Sequence, residues 1–315
     1  FHSGPAVIMQ YTGAAGLCAP RRPPAGNLPG RCRRLTIRRI TNTQHICPKS
    51  CGRAIRYPGG RDGDKRGSLE IRFQGIVVIV GNYGSGKTEV AINLALASRQ
   101  REAGVRVVDL DLVNPYFRSR EARDLLRAHD VEMVLPPAPY LHADLPILSP
   151  AVSGAIRRPG KLTLLDVGGD DAGATVLASL ADAFEGQPIE MLQVINPYRP
   201  HTETVAGCLA MRREIEAASR LAVTGWIGNA HLMEATTTET ITAGFAFASE
   251  VSRTSGLPLA FITAPRSLID TLPDGAIDCP VLPIERRLIP PWQRAATRSA
   301  PAAAPSGGPP KKHEE

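Results

Sequence analysis

A chain of 315 residues with a net charge of +7 invites a nucleic-acid partner until the charge is located. Residues 1–68 hold 13 Lys and Arg against two Asp, a net of +11, so residues 69–315 carry −4; a nucleic-acid reader shows its positive charge on the folded domain, which argues against that role here. No run of 18 apolar residues suggests a membrane-spanning helix, and the six cysteines, four of them before residue 52 and Cys208 and Cys279 far apart, make no disulfide framework.

Residues 1–68 are rich in Gly, Pro and Arg and lack hydrophobic periodicity, so they are expected to be a disordered basic leader that cannot offset its own ordering entropy. Only three serines occur there, fewer than a transit peptide calls for, and the leader is read instead as upstream sequence before the native start. His45, Cys47 and Cys51 fit no standard zinc spacing. One nucleotide-binding domain is expected over 69–290, followed by a second solvated tail over 291–315.

Within 69–290, short β-rich apolar runs at 76–80, 105–110, 162–165, 191–195, 222–227 and 259–263 read as strands buried on both faces. The stretches 88–100, 118–128, 174–184, 202–219 and 238–254 suit crossover helices, with one more near 149–157. Right-handed crossovers then predict an α/β fold of three layers, a doubly wound and mostly parallel sheet of the P-loop NTPase kind. Pro136, Pro137, Pro139 and Pro146 interrupt an irregular insertion suited to a lid or contact surface.

The first strand runs straight into GNYGSGKT, that is Gly81, Asn82, Tyr83, Gly84, Ser85, Gly86, Lys87 and Thr88. This is G-x-x-x-x-G-K-[ST] in the strand-loop-helix setting the motif requires. Its glycines let successive N–H groups converge on phosphate oxygens at a helix N-terminus. Lys87 supplies a cation for the β and γ phosphates, and the Thr88 hydroxyl is a hard ligand for Mg²⁺.

The second strand ends in VVDLDL, placing Asp109 and Asp111 at the carboxyl edge where ligands of open α/β sheets bind. Asp111 is a candidate to orient the attacking water and to face the metal, and Asp109 to support the metal shell. Arg118 and Arg120 suit phosphate contact or pairing with Glu121 and Asp124. In LTLLDVGGDDAGA, Asp166 closes an apolar strand as a Walker B acid, and Gly168 and Gly169 allow a backbone N–H to approach a γ-phosphate. Two later strands end at Asn196 and Asn229, residues that suit a purine edge or a turn. No N-K-x-D follows a late strand, so the acid that would read guanine is missing and adenine is favoured.

This order of motifs resembles the MinD/ParA/CobQ-type branch of the SIMIBI P-loop NTPases, over about residues 70–290. The resemblance implies bound ATP and Mg²⁺, with Lys87, Thr88, Asp111 and Asp166 in the roles just given and Asn229 against adenine. It also implies a cytoplasmic protein that works with a second copy of itself or a protein partner. Members that dimerise through a deviant P-loop carry K-G-G-x-G-K-T, whereas here Asn82 and Tyr83 stand where that Lys-Gly pair would be. A nucleotide-driven ATPase switch is the expected function. A ligase that activates a carboxylate, like cobyrinate or dethiobiotin synthases, is the alternative, and a metallochaperone-type GTPase a further one.

Overall fold

The structure is a computed structural model and describes residues 70–111, 118–135, 150–168 and 171–288, all within one unit spanning Ile55–Glu315. The leader, the 136–149 insertion, Gly169 and the tail lie outside the described residues.

Strand β1 (Gly75–Gly81) is GIVVIVG, apolar on both faces and buried along its length after Gly75. Such a strand is stable only with cover above and below. Chain order runs on through α1 (Lys87–Arg99), β2 (Val105–Leu110), a 3₁₀ turn at Ser119–Ala122, α2 (Arg123–Ala128), β3 (Glu132–Val134), α3 (Pro150–Arg157) and β4 (Leu162–Val167). It continues with α4 (Asp171–Ser179), α5 (Ala181–Phe184), β5 (Ile189–Ile195), α6 (Val205–Ser219), β6 (Gly225–Gly228), α7 (Thr238–Ser255), β7 (Leu259–Pro265) and β8 (Val281–Ile284). The strands form one sheet in the order β3-β2-β4-β1-β5-β6-β7-β8, and every pairing is parallel.

Alternation along each strand sorts the core into two layers. Val77 and Ile79 of β1 pack with Val90 and Leu94 of α1 on one face. Ile76 and Val78 pack with Ile156 of α3, Leu177 of α4 and Ile215 of α6 on the other. The expected three-layer, doubly wound architecture is therefore present, and its sheet is wholly parallel among the described residues.

Several details differ from the sequence expectation, among them the helix expected over 174–184, which is split into α4 and α5. Edge strands β3 and β8 were not predicted: they are only three and four residues long, β3 begins with Glu132 and β8 contains Pro283. The strand expected over 222–227 begins only at Gly225, because Thr224 instead bonds through its backbone N–H and its hydroxyl to the Met191 carbonyl. The helix expected from 202 begins at Val205, where the Thr204 hydroxyl accepts the Gly207 N–H and caps the first turn.

The chain leaves β1 for β2, returns through β4 to lie between them, and then proceeds outward through β5 to β8. That reversal beside β1 opens a crevice at the carboxyl ends of the strands, the ligand position of such sheets.

Candidate functional site

The loop between β1 and α1 is shaped by its own backbone and clamped from outside. Gly86 precedes the helix with φ 89°, a left-handed conformation suited to glycine, and a Cβ there would collide with the Asn229 amide. Inside the loop the Ser85 N–H donates to Asn82 O (3.2 Å), and the Lys87 ammonium donates to the same carbonyl (3.0 Å). From outside, Asn82 Nδ2 donates to Pro200 O (2.7 Å) and Asn229 Nδ2 to Ser85 O (2.6 Å). Thr263 of β7 donates its hydroxyl to Asn229 Oδ1 and fixes the orientation of that amide. Loops after β5 and β6 thus hold the phosphate-binding bend open around the buried Lys87 and Thr88.

The acids come from β2 and β4. Asp109 and Asp166 are register partners, both wholly buried, and Asp111 is buried just beyond. Asp109 accepts from Arg120 Nε (2.7 Å) and the Arg120 N–H (3.0 Å) through Oδ2, while Oδ1 accepts the Asp111 N–H (3.1 Å) and Arg120 Nη2 (3.2 Å). Arg120 is thus ion-paired with Asp109, a partner the sequence did not suggest. Asp111 lies against Gly168, where an added Cβ would stand 3.1 Å from Oδ1. Among the described residues Asp166 accepts a long bond from the Thr88 hydroxyl (3.4 Å) at Oδ1, and its buried Oδ2 meets no partner there. Burial, followed by the charges of Asp109 and Asp111, raises the Asp166 carboxyl to about 8, against the pull of Lys87 and Thr88.

A buried carboxylate oxygen without a partner, next to a hydroxyl, fits a small hard cation such as Mg²⁺. The acids do not form a cage as a set. Among the described residues no three His, Cys, Asp or Glu side chains converge on one metal position, and Asp109, expected to support the metal shell, is committed to Arg120 and the Asp111 backbone. Thr88 and Asp166 are the pair that would hold such a cation.

Lys87, Thr88 and Asp111 line a cleft of about 540 Å³ whose wall also includes the apolar residues Ala230, Met233, Ala264 and Ile284. Its size and lining suit a small molecule with one charged and one planar end. The lining residues that escaped the sequence reading include Glu89, Arg199, His231, Glu234 and Arg286. Arg199 and His231 had a weak signal, each standing a few residues past a strand-terminal Asn. Burial, with help from Arg199 and Arg286, lowers the His231 imidazole to about 4, so it is neutral near pH 7.

Glu89, in the first turn of α1, receives the N–H groups of Arg287 (3.0 Å) and Leu288 (2.7 Å), and Asn93 one turn on exchanges bonds with the backbone of Glu285. The strap at 285–288 is thereby stitched to the helix that carries Lys87, and Arg286 completes it by pairing with Glu234 (2.7 Å). Truncating Glu89 to Ala strands two backbone donors, and is expected to lower the unfolding free energy by about 1.5–3 kcal/mol in urea melts. A change within about 0.5 kcal/mol would mean that the strap is not held there.

Fold and site together define the class: a P-loop α/β domain whose sheet is wholly parallel among the described residues. No protein-family model matches the chain, and no curated protein does. Solved structures similar to it include FtsY from Mycoplasma mycoides, at 17% identity and TM-score 0.42, with 62% of this chain and 61% of that one covered. The signal recognition particle 54 kDa protein from Aeropyrum pernix K1, in complex with GDP, is similar at 18% identity and TM-score 0.42, covering 64% of this chain and 43% of that one. A nucleotide-binding protein from Archaeoglobus fulgidus, in complex with ADP, is similar at 17% identity and TM-score 0.40, covering 68% and 84%. The chain thus spans less than two thirds of the FtsY and 54 kDa chains, and likenesses of this strength carry no function across.

Proposed function

We propose that this protein binds a nucleoside triphosphate with Mg²⁺ in the P-loop cleft and hydrolyses it, ATP being the preferred form, in a cycle that switches its affinity for a partner. The observation that carries the reading is that Lys87 and Thr88 line a cleft of about 540 Å³, with the unpartnered buried carboxylate of Asp166 directly behind the Thr88 hydroxyl.

The loop amides of residues 81–88 and Lys87 hold the phosphates. Thr88 and Asp166 hold Mg²⁺, which when bound neutralises phosphate charge. Asp111, beside Gly168, orients the attacking water; Asp109 acts by fixing the Asp111 backbone and holding Arg120. The water oxygen bonds to the γ-phosphorus as the bond to the β–γ bridging oxygen breaks. The electron pair stays on the diphosphate and the water's proton leaves with phosphate or to solvent. Gly169 would offer its N–H to the γ-phosphate and couple loop position to nucleotide state. Asn229, tied to both Ser85 and Thr263, lines the cleft and is assigned to the base edge, and the missing guanine-reading acid favours adenine.

The mouth of the cleft carries Tyr83 at 63% exposure and Met233 at 42%, apolar surface suited to a protein partner or a second copy. No helix among the described residues is long and apolar enough to cross a membrane. A cytoplasmic location fits this reading.

The test is phosphate release by the full chain with ATP or GTP, with Mg²⁺ and with a chelator. Mg²⁺-dependent release preferring ATP is expected. Turnover of GTP alone would overturn the adenine assignment, and failure to bind either nucleotide would overturn the whole reading. Asp111→Asn is expected to keep nucleotide affinity while lowering kcat at least tenfold, about 1.4 kcal/mol in the barrier; unchanged turnover removes Asp111 from the reaction.

A further inference from the structure

Lys87 is the one cation that the P-loop itself provides, and the position where related loops carry a second lysine is Asn82 here. The side chain at that position does something else. Its Nδ2 donates to Pro200 O (2.7 Å) and its Oδ1 accepts the Tyr83 N–H (2.7 Å), clipping the phosphate-binding loop to the turn after β5. That turn is itself rigidly built. The buried Thr202 hydroxyl donates to Asn196 O (2.8 Å), Asn196 Oδ1 accepts the Tyr198 N–H (3.0 Å), and Asn196 Nδ2 reaches His231 O (3.3 Å) on the turn after β6.

The clip carries one cation to the loop. The Arg199 side chain lies over Gly84, where an added Cβ would stand 3.7 Å from Nε and 3.8 Å from Cδ, and Arg199 lines the same cleft as Lys87, Thr88 and Asp111. Its Nε is buried without a protein partner, and among the described residues no carboxylate pairs with its guanidinium. His231, which lines the same cleft, is neutral near pH 7 and supplies no countercharge. A guanidinium in a cleft wall with an unmet donor is suited to an anion, and above the middle of a P-loop the anion is a phosphate.

Resting on the nucleotide reading above, the geometry points to Arg199 as a triphosphate-sensing and catalytic cation supplied in cis, its guanidinium contacting the γ-phosphate and the bridging oxygen as negative charge gathers on the leaving diphosphate. The Asn82–Pro200 clip is then the positioning element, and a loop that lacks the second lysine receives its extra charge from the neighbouring turn of the same chain. Discrimination of triphosphate from diphosphate follows, because a diphosphate leaves this donor unmet.

The experiment titrates the full chain calorimetrically with a nonhydrolysable triphosphate analogue and with the diphosphate, both with Mg²⁺, comparing Arg199→Gln, Arg199→Lys and Lys87→Ala with the unaltered protein. Arg199→Gln keeps the stem and removes only the charge. It is expected to weaken the triphosphate analogue at least ~10-fold while moving the diphosphate less than ~2-fold, with phosphate release down roughly 10²-fold. Arg199→Lys should recover part of both, and Lys87→Ala should weaken both nucleotides. Equal losses for the two nucleotides, or none, would overturn the assignment of Arg199 while leaving the P-loop reading intact. An unaltered protein that binds neither nucleotide overturns that reading, and Arg199 with it.

Discussion

Lys87→Ala is expected to reduce triphosphate affinity at least 100-fold, about 2.7 kcal/mol, and to take phosphate release to background. Lys87 is 6% exposed at the start of α1, and its ammonium donates to Asn82 O across the loop (3.0 Å). Two things are lost together in the variant: the cation that meets the phosphates, and the strut that keeps the Asn82 carbonyl turned inward. The buried carboxylates lose an opposing charge as well, since Lys87 lowers the Asp166 carboxyl while Asp109 and Asp111 raise it. Calorimetric titration measures the first loss directly. Affinity within about threefold of the unaltered protein, roughly 0.65 kcal/mol, would remove the P-loop from nucleotide binding.

Asp166→Asn is expected to act in opposite directions on stability and on activity. In the empty protein, burial and two neighbouring carboxylates hold Asp166 at about 8, far above the ordinary carboxylate value. Folding therefore favours its neutral form. The stabilisation associated with that proton is complete below the unfolded-state pKa of about 4 and is lost as pH rises through about 8. An amide at this position carries no charge to desolvate. With a chelator present, Asp166→Asn is expected to be more stable than the unaltered protein at pH 8 by at least about 1 kcal/mol, roughly 2–4 °C in Tm for a domain this size. The difference should shrink towards pH 4. Adding Mg²⁺ and triphosphate should reverse the order, because only the carboxylate gains from the cation, and Mg²⁺-dependent phosphate release should fall by at least about 10²-fold. A variant that melts no higher at pH 8 without metal would show that Asp166 is not held against its own charge. One that responds normally to Mg²⁺ would remove it from the metal shell.

Both predictions concern residues visible in the sequence, where strand-terminal position and the G-x-x-x-x-G-K-T string are local properties. Their supports are not local. Asp109 looked like a metal ligand because it ends an apolar strand beside Asp111. Its actual partner, Arg120, lies eleven residues on, beyond a stretch with no helical or strand period. Glu89, in the first turn of α1, was not singled out from the sequence. Its partners, the N–H groups of Arg287 and Leu288, lie 198 and 199 residues away and are backbone atoms that any sequence would supply.

What the sequence determined by itself was every central strand, the crossover helices between them, the phosphate-binding bend and the acids at the carboxyl edge. Each of these follows from hydrophobic period or from residue types at fixed short spacing. Only the tertiary structure decided the edge strands β3 and β8, the commitment of Asp109 to Arg120, the clip from Asn82 to Pro200 and the arrival of Arg199 over Gly84. The physical reason is strand order. Because β5 lies directly beside β1, a turn more than a hundred residues away reaches the phosphate-binding loop, and no local pattern of residues encodes that adjacency.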